Sequence, residues 1–208
     1  MGYIIVAVVV AYLLGSIPTS VWIGRIFFKV DVRNEGSKNA GATNTIRVLG
    51  WKAGVPVLII DVFKGWLAVF LTGFFPAEAF QDIPMVWVRI MAAAAAVAGH
   101  IYPLYIGFRG GKGVATLLGV GIALFPVSVW FVVLIFVVVL LLSGIVSLSS
   151  ILASMSFPFL VIFLFPPQHL SLTVLSIAVG VFVPLTHFSN IKRLLKGEEK
   201  KMSFKKRK

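Results

Sequence analysis

Five stretches of this chain, Tyr3–Trp22, Gly54–Phe75, Pro84–Tyr105, Ser150–Phe165 and Leu170–Leu185, are apolar almost throughout, and a sixth, Val114–Leu142, is longer than any of them. A helix needs about 17–25 such residues to cross a hydrocarbon core about 30 Å thick. With its 19 glycines counted beside the 59% hydrophobic residues, the chain is about 68% apolar, against about 45–50% in soluble domains. Charged residues make up only 12%. A water-soluble globule of this size cannot hide that much apolar surface, and a disordered chain would not carry it. The chain has no cysteine, which excludes disulfides, thiolate metal sites and a thioester-forming nucleophile. The expected fold is an all-α polytopic membrane helix bundle.

Charge sets the orientation. The net charge of +12 invites a nucleic-acid reading, but the cations avoid the apolar runs and gather in short loops and a tail. In a membrane protein that pattern reports the cytoplasmic side and anionic headgroups. Arg25, Lys29, Arg33, Lys38, Arg47 and Lys52 surround the first loop, Arg109 and Lys112 follow the third span, and nine cations lie between Lys192 and Lys208. Pro126 divides Val114–Leu142, so this run is either one kinked helix or two short spans. Two spans put all these segments on one side, giving about seven spans with the N-terminus outside and the C-terminus cytoplasmic. The expected organisation is one transmembrane domain over residues 1–191 and a basic cytoplasmic tail over 192–208. The outer loops, Pro76–Ile83 and Pro166–His169, carry Glu78 and Asp82. No basic residue precedes the first apolar run, so a cleaved leader is not expected.

Three polar segments then share the cytoplasmic face. The first, Asp31 to Arg47, sets hydroxyls, carboxamides and a guanidinium around Gly36 and Gly41. Glycine lets backbone N–H groups converge on an anion, and Ser, Thr, Asn and Arg are phosphate donors. A solvated turn capping the next helix fits the composition equally well. The second, Arg109-Gly-Gly-Lys-Gly113, feeds a helix N-terminus, a ready anion site, though it also fits a simple positive-inside anchor. It lacks the Ser or Thr and the preceding strand of a P-loop. The third combines Ser147-Leu-Ser-Ser150 with His187-Phe-Ser-Asn190, where the i, i+3 spacing puts His187 and Asn190 on one helix face. Asp61 and Lys64, also i, i+3, are expected to pair inside the bundle as a structural or relay pair. His100 reads first as a buried hydrogen-bonding residue.

In this order the motifs resemble the bacterial integral-membrane glycerol-3-phosphate acyltransferases that use acyl phosphate as donor. The resemblance runs through Gly15-Ser-Ile-Pro18, Ser37-x-Asn39-x-Gly41-x-Thr43-Asn44-x-x-Arg47, Asp61-x-x-Lys64-Gly65, His100-x-x-Pro103 and Phe108-x-Gly110-Gly-Lys-Gly113-Val-Ala-Thr116. It continues through the serines near Ser150 and His187-x-x-Asn190-Ile-x-Arg193-Leu194, with Gly197 and Glu199 behind. The basic tail after Lys201 is longer than the family pattern suggests. The resemblance implies acyl transfer from acyl phosphate to sn-glycerol 3-phosphate, giving lysophosphatidic acid and phosphate at the bacterial cytoplasmic membrane. It implies no cofactor, no metal, no acyl-CoA and no acyl carrier protein; membrane lipids are the remaining partners and nucleic acid is not one. Two phosphorylated substrates would explain two cationic, glycine-bearing segments.

None of His100, His169 and His187 has an Asp at the His-x4-Asp spacing of other glycerolipid acyltransferases, so a direct transfer is expected rather than an acyl-enzyme. Ser37, Asn39, Gly41, Thr43, Asn44 and the amides of Gly110, Gly111 and Gly113 are assigned to a phosphate cradle, with Arg47 and Lys112 balancing charge. Ser150 and Glu199 join the substrate-binding set through the resemblance. His187 and Asn190 would orient the glycerol phosphate, and the base is either His187 or a phosphate oxygen of the donor. A transporter of an anionic metabolite is the rival reading, weakened by the one-sided polar residues and the lack of a repeat. A scaffold holding lipid or a partner through its tail is the second rival.

Overall fold

The computed structural model describes residues 2–76 and 83–202. Glu78, Asp82 and the end of the basic tail lie outside the described residues. The chain divides between Leu124 and Phe125 into two compact units.

The first unit carries α1 (Gly2–Gly15), α2 (Thr19–Phe28), α3 (Ala42–Leu49), α4 (Trp51–Phe70), α5 (Met85–Ile101) and α6 (Val114–Leu124). The first expected span is two helices, broken over Ser16–Pro18, and it runs on to Phe28. Proline supplies no N–H, so the turn before it leaves carbonyls without helical partners. The Lys64 ammonium answers this, donating to the Ile17 carbonyl at 2.8 Å. Lys64 also pairs with Asp61 at 2.8 Å, and Thr19 donates its hydroxyl to the same carboxylate oxygen at 3.0 Å. The expected Asp61–Lys64 pair therefore exists, and it pins the broken first span to α4.

Both partners are almost wholly buried, at 4% and 2% side-chain exposure. Removing one leaves an uncompensated charge, which costs about 3–5 kcal/mol, whereas an apolar pair of similar volume is often neutral. Lys64→Met should therefore destabilise the protein strongly. Asp61→Leu combined with Lys64→Met should recover most of the loss, read by thermal unfolding in detergent.

Small residues set the helix spacing here. Ala11, Ala68, Ala92 and Ala96 form one buried seam. A methyl group on Gly15 would overlap the Ala96 carbonyl of α5, and one on Gly65 would overlap the Thr116 carbonyl of α6. Lipid tails are as apolar as leucine, so close backbone approach and polar pairing hold such helices together. The outward faces carry the large apolar residues, among them Ile5, Phe27, Ile59 and Phe63.

The second unit contains α7 (Ser128–Ser143), α8 (Val146–Phe159), α9 (Leu170–Thr186) and α10 (Phe188–Leu195). The Phe125 and Phe157 rings meet edge to face at 4.8 Å, and Gly180 lets α9 approach Pro158 of α8. α8 begins four residues before the expected span and ends in a wider π-type turn, Leu160–Leu164. α10 turns away from α9 by 62° and continues past the expected domain boundary at residue 191. Beyond it the Met202 amide donates to the Gly144 carbonyl at 2.8 Å, so this part of the expected tail packs back on its own unit.

The protein is thus an all-α membrane helix protein. Gly2–Phe28, Trp51–Phe74, Met85–Ile106 and Val146–Leu164 are long and apolar enough to span, with a fifth span if the bent α9–α10 pair is one. The run Val114–Leu142 holds two separate helices, α6 and α7, interrupted around Pro126, rather than one kinked helix, and both are shorter than the four spans.

Candidate active site

In the first unit the polar loop between α2 and α3 is organised by two side chains. Asp31 accepts from the Arg33 side chain at 2.8 Å, from the Arg33 amide at 3.0 Å and from Arg25 at 2.8 Å. The Arg33 hydrogen bond is the main reason its carboxyl lies well below the usual carboxylate range, and Asp31 in turn raises the Arg33 guanidinium. The other arm of Arg33 donates to the Ile106 carbonyl at 3.0 Å, tying this loop to the turn after α5.

Asn44 is the second organiser. Its Oδ1 accepts the Ser37 amide at 2.7 Å, while its Nδ2 donates to the carbonyls of Val32 at 2.8 Å and Glu35 at 3.1 Å. The side chain is 2% exposed and its donors are both in use. Its amide shapes the loop that carries Ser37, Asn39 and Thr43. Gly36, at φ +63°, crosses so close to Asn44 Oδ1 that no side chain fits there. Gly41 leads into α3 in extended backbone, leaving the first-turn amides of a helix that holds Thr43 and Arg47. Arg47 is half-buried and makes no ion pair among the described residues.

The glycine segment before α6 lies against this loop. The Gly110 amide donates to the Ile101 carbonyl at 3.0 Å and the Gly111 amide to the His100 carbonyl at 3.2 Å. Those two amides close the end of α5. What the glycines supply is closeness: a methyl on Gly111 would overlap both the His100 ring and the Ala40 carbonyl. Gly113, at φ +80°, turns the chain into the N-terminus of α6 directly after half-buried Lys112. His100 stands behind this turn, its Nδ1 3.8 Å from Asp61 Oδ1.

In the second unit Glu199 is a hub. Its Oε1 accepts from Ser147 at 2.8 Å and Asn190 at 2.6 Å, and its Oε2 from Arg193 at 2.6 Å. Burial alone would raise its carboxyl, but the hydrogen bonds from Arg193, Asn190 and Ser147 bring it below the usual value of 4.5. A carboxyl held low in the folded state stabilises fully above its ordinary value and loses that contribution as pH falls through the folded value. Glu199→Gln should therefore flatten the acid side of the stability profile below pH 4.5, with little change in its shape near neutrality, as followed by thermal unfolding against pH. Glu199 thus organises this unit through its own side chains, and the assignment made through the family resemblance misses its structural partners Ser147 and Arg193. The one available signal was spacing, since Arg193 lies one helical turn beyond Asn190.

His187 and Asn190 are both buried, at 4% and 8% exposure. They do not share one helix as expected, because His187 is the corner residue between α9 and α10. His187 Nδ1 lies 2.8 Å from the Val183 carbonyl. A carbonyl can only accept, so this contact places a hydrogen on Nδ1. Ser150 is buried and donates to the Val146 carbonyl at 3.0 Å, leaving its oxygen lone pairs as acceptors.

Apolar helices that bury an ion pair, and cationic loops folded around glycines and a buried histidine, define a membrane-embedded protein equipped for anionic, phosphate-bearing molecules. A family model described as glycerol-3-phosphate acyltransferase matches residues 5–197, and the chain belongs to that family. It is 41% identical to the glycerol-3-phosphate acyltransferase of Enterococcus faecalis, over 97% of this chain and 93% of the relative. The corresponding protein of Chlorobaculum tepidum is 40% identical, with 95% of each chain covered. Among solved structures, the glycerol 3-phosphate form of PlsY (YgiH), an integral membrane glycerol 3-phosphate acyltransferase, aligns with a TM-score of 0.83 at 38% identity over 96% of both chains. Its lysophosphatidic acid form gives 0.80 at 37% identity, over 96% of this chain and 95% of that one. The fold and enzyme class expected from the sequence are those of this family.

Proposed function

We propose that the protein transfers an acyl group from acyl phosphate to a hydroxyl of sn-glycerol 3-phosphate at the cytoplasmic face of the bacterial inner membrane. The single observation that supports the chemistry is the 2.8 Å contact of His187 Nδ1 with the Val183 carbonyl, and in this reading the neutral ring, donating from Nδ1, takes the proton at Nε2. The hydroxyl oxygen attacks the acyl carbon, its proton passes to His187 Nε2, and the acyl–oxygen bond to phosphorus-bearing oxygen breaks. Inorganic phosphate leaves, and lysophosphatidic acid keeps the new ester.

Charge on the leaving phosphate and on the acceptor is balanced by Arg47 and Lys112, with Ser37, Asn39, Thr43 and the amides from Gly41 and Gly113 onward as hydrogen-bond donors. Asn44, Gly110 and Gly111 serve as the template of that cradle rather than as its lining. Asn190 and Ser150 orient the acceptor, and Glu199 holds Asn190 in place. No step needs a metal, an acyl-CoA or an acyl carrier protein.

Seven spans, with the N-terminus outside and the loops of the site inside, complete the reading. Phosphate release by purified protein from acyl phosphate plus glycerol 3-phosphate tests the reaction, and it should vanish when acyl-CoA replaces the donor. Release with no acceptor dependence would overturn it. The chain has no native cysteine, so single Asn34→Cys and Lys196→Cys variants test the orientation directly. Both should react with an impermeant thiol reagent only from the cytoplasmic side of membrane vesicles.

A further inference from the structure

A cleft of about 580 Å³ opens in the first unit between the α2–α3 loop and the turn after α5. Arg33, Asn34, Lys38, Arg109 and Gly110 line it, together with apolar Ile106. Neither Lys38 nor Arg109 is given any part in the transfer reaction. Both are exposed and neither makes an ion pair among the described residues. The carboxylate beside the cleft, Asp31, is already shared by Arg25 and Arg33. Glu35, the other carboxylate of the loop, does not line the cleft. A positive, uncompensated pair of side chains thus faces an open, anion-sized space.

Backbone and surroundings narrow the occupant. Lys38 and Phe108, the residue before Arg109, hold φ +59° without being glycine, a strained conformation that clusters where side chains must be aimed. The same turn exposes Leu104, Tyr105 and Phe108 at about half of their surface, and Tyr105 meets Trp22 at 6.0 Å. Tyrosine and tryptophan collect where a bilayer meets water. A soluble phosphate needs only the polar lining, whereas a lipid also needs an apolar collar for its glycerol esters and chain tops.

We infer that this cleft binds the phosphate headgroup of an anionic phospholipid through Lys38 and Arg109, at a site separate from the acyl-transfer residues. The inference rests on the cleft's own geometry and does not depend on the proposed catalytic roles. Because the Lys38 loop also carries Ser37 and Asn39, and Arg109 precedes Gly110–Gly113, an occupied cleft would steady both loops of the site.

The test reconstitutes the full chain into phosphatidylcholine vesicles containing a trace of spin-labelled phosphatidylglycerol or spin-labelled phosphatidylcholine. The wild type should immobilise the anionic lipid preferentially, by up to roughly fivefold for each cation engaged. Lys38→Asn, which tolerates the left-handed backbone, should reduce that preference, and Lys38→Asn with Arg109→Gln should abolish it. Unchanged preference in these variants would overturn the site. So would loss of preference in a Lys200→Gln, Lys201→Gln variant, which would assign the effect to the tail. Displacement of the labelled lipid by millimolar inorganic phosphate would assign the cleft to a soluble phosphate instead. Acyl transfer in pure phosphatidylcholine should be the same for wild type and variants, which checks that they fold, and the Lys38→Asn single variant keeps the result readable if the double one does not.

Discussion

His187→Ala should lower kcat by roughly 10²–10⁴-fold, because the side chain proposed to take the hydroxyl proton is gone. His187→Asn separates positioning from proton transfer. The Asn amide can still donate to the Val183 carbonyl, 2.8 Å from the native ring nitrogen, but it offers no base at the far side. It should be as inactive as the alanine variant. Near-native turnover in His187→Asn would mean that the ring only orients the acceptor and that a donor phosphate oxygen takes the proton.

Gly111→Ala should cost about 100-fold in kcat/KM or more, because a methyl there meets the His100 ring on one side and the Ala40 carbonyl on the other. Ala40 belongs to the loop carrying Asn39 and Gly41, and His100 is held behind it near Asp61, so neither neighbour can retreat cheaply. The glycine segment must therefore shift, and Lys112 shifts with it. Overpacking of this kind also costs about 1–3 kcal/mol of stability, so activity is to be compared on protein shown to be folded by thermal unfolding. Gly73→Ala is the matching control: among the described residues nothing lies within 4 Å of the added methyl, and wild-type kinetics are expected. Normal activity in Gly111→Ala would show that the close approach of the two loops has no part in catalysis.

Much of the site was readable in advance because its residue types are costly in a membrane. Asp61 and Lys64 in an apolar run had to pair, and their i, i+3 spacing offered the partner. The glycine-bearing loops were legible for the same reason, since polar and flexible residues cluster where backbone must leave the helix. What spacing did not show is which atoms the fold itself engages. Asn44 looked like a ligand donor, yet its carboxamide closes onto Val32, Glu35 and Ser37. Gly110 and Gly111 looked like anion amides, yet they cap the carbonyls at the end of α5. Hydrogen bonds between residues far apart in sequence are invisible to composition and spacing, and each donor serves only once.

The amino-acid sequence alone determined the solvent of this protein. Long apolar runs permit only backbone that satisfies its own hydrogen bonds, so helices in lipid follow from residue type without any knowledge of contacts. It also pointed to the family, to which the chain is matched at 40–41% identity across nearly its whole length. Tertiary structure decided the rest: that the first span breaks over Ser16–Pro18 and is mended by Lys64, that Glu199 gathers Ser147, Asn190 and Arg193, and that His187 Nδ1 meets the Val183 carbonyl. The reason is physical. Burial depends on local residue type summed along a helix, whereas the direction of a hydrogen bond depends on where a distant partner comes to rest.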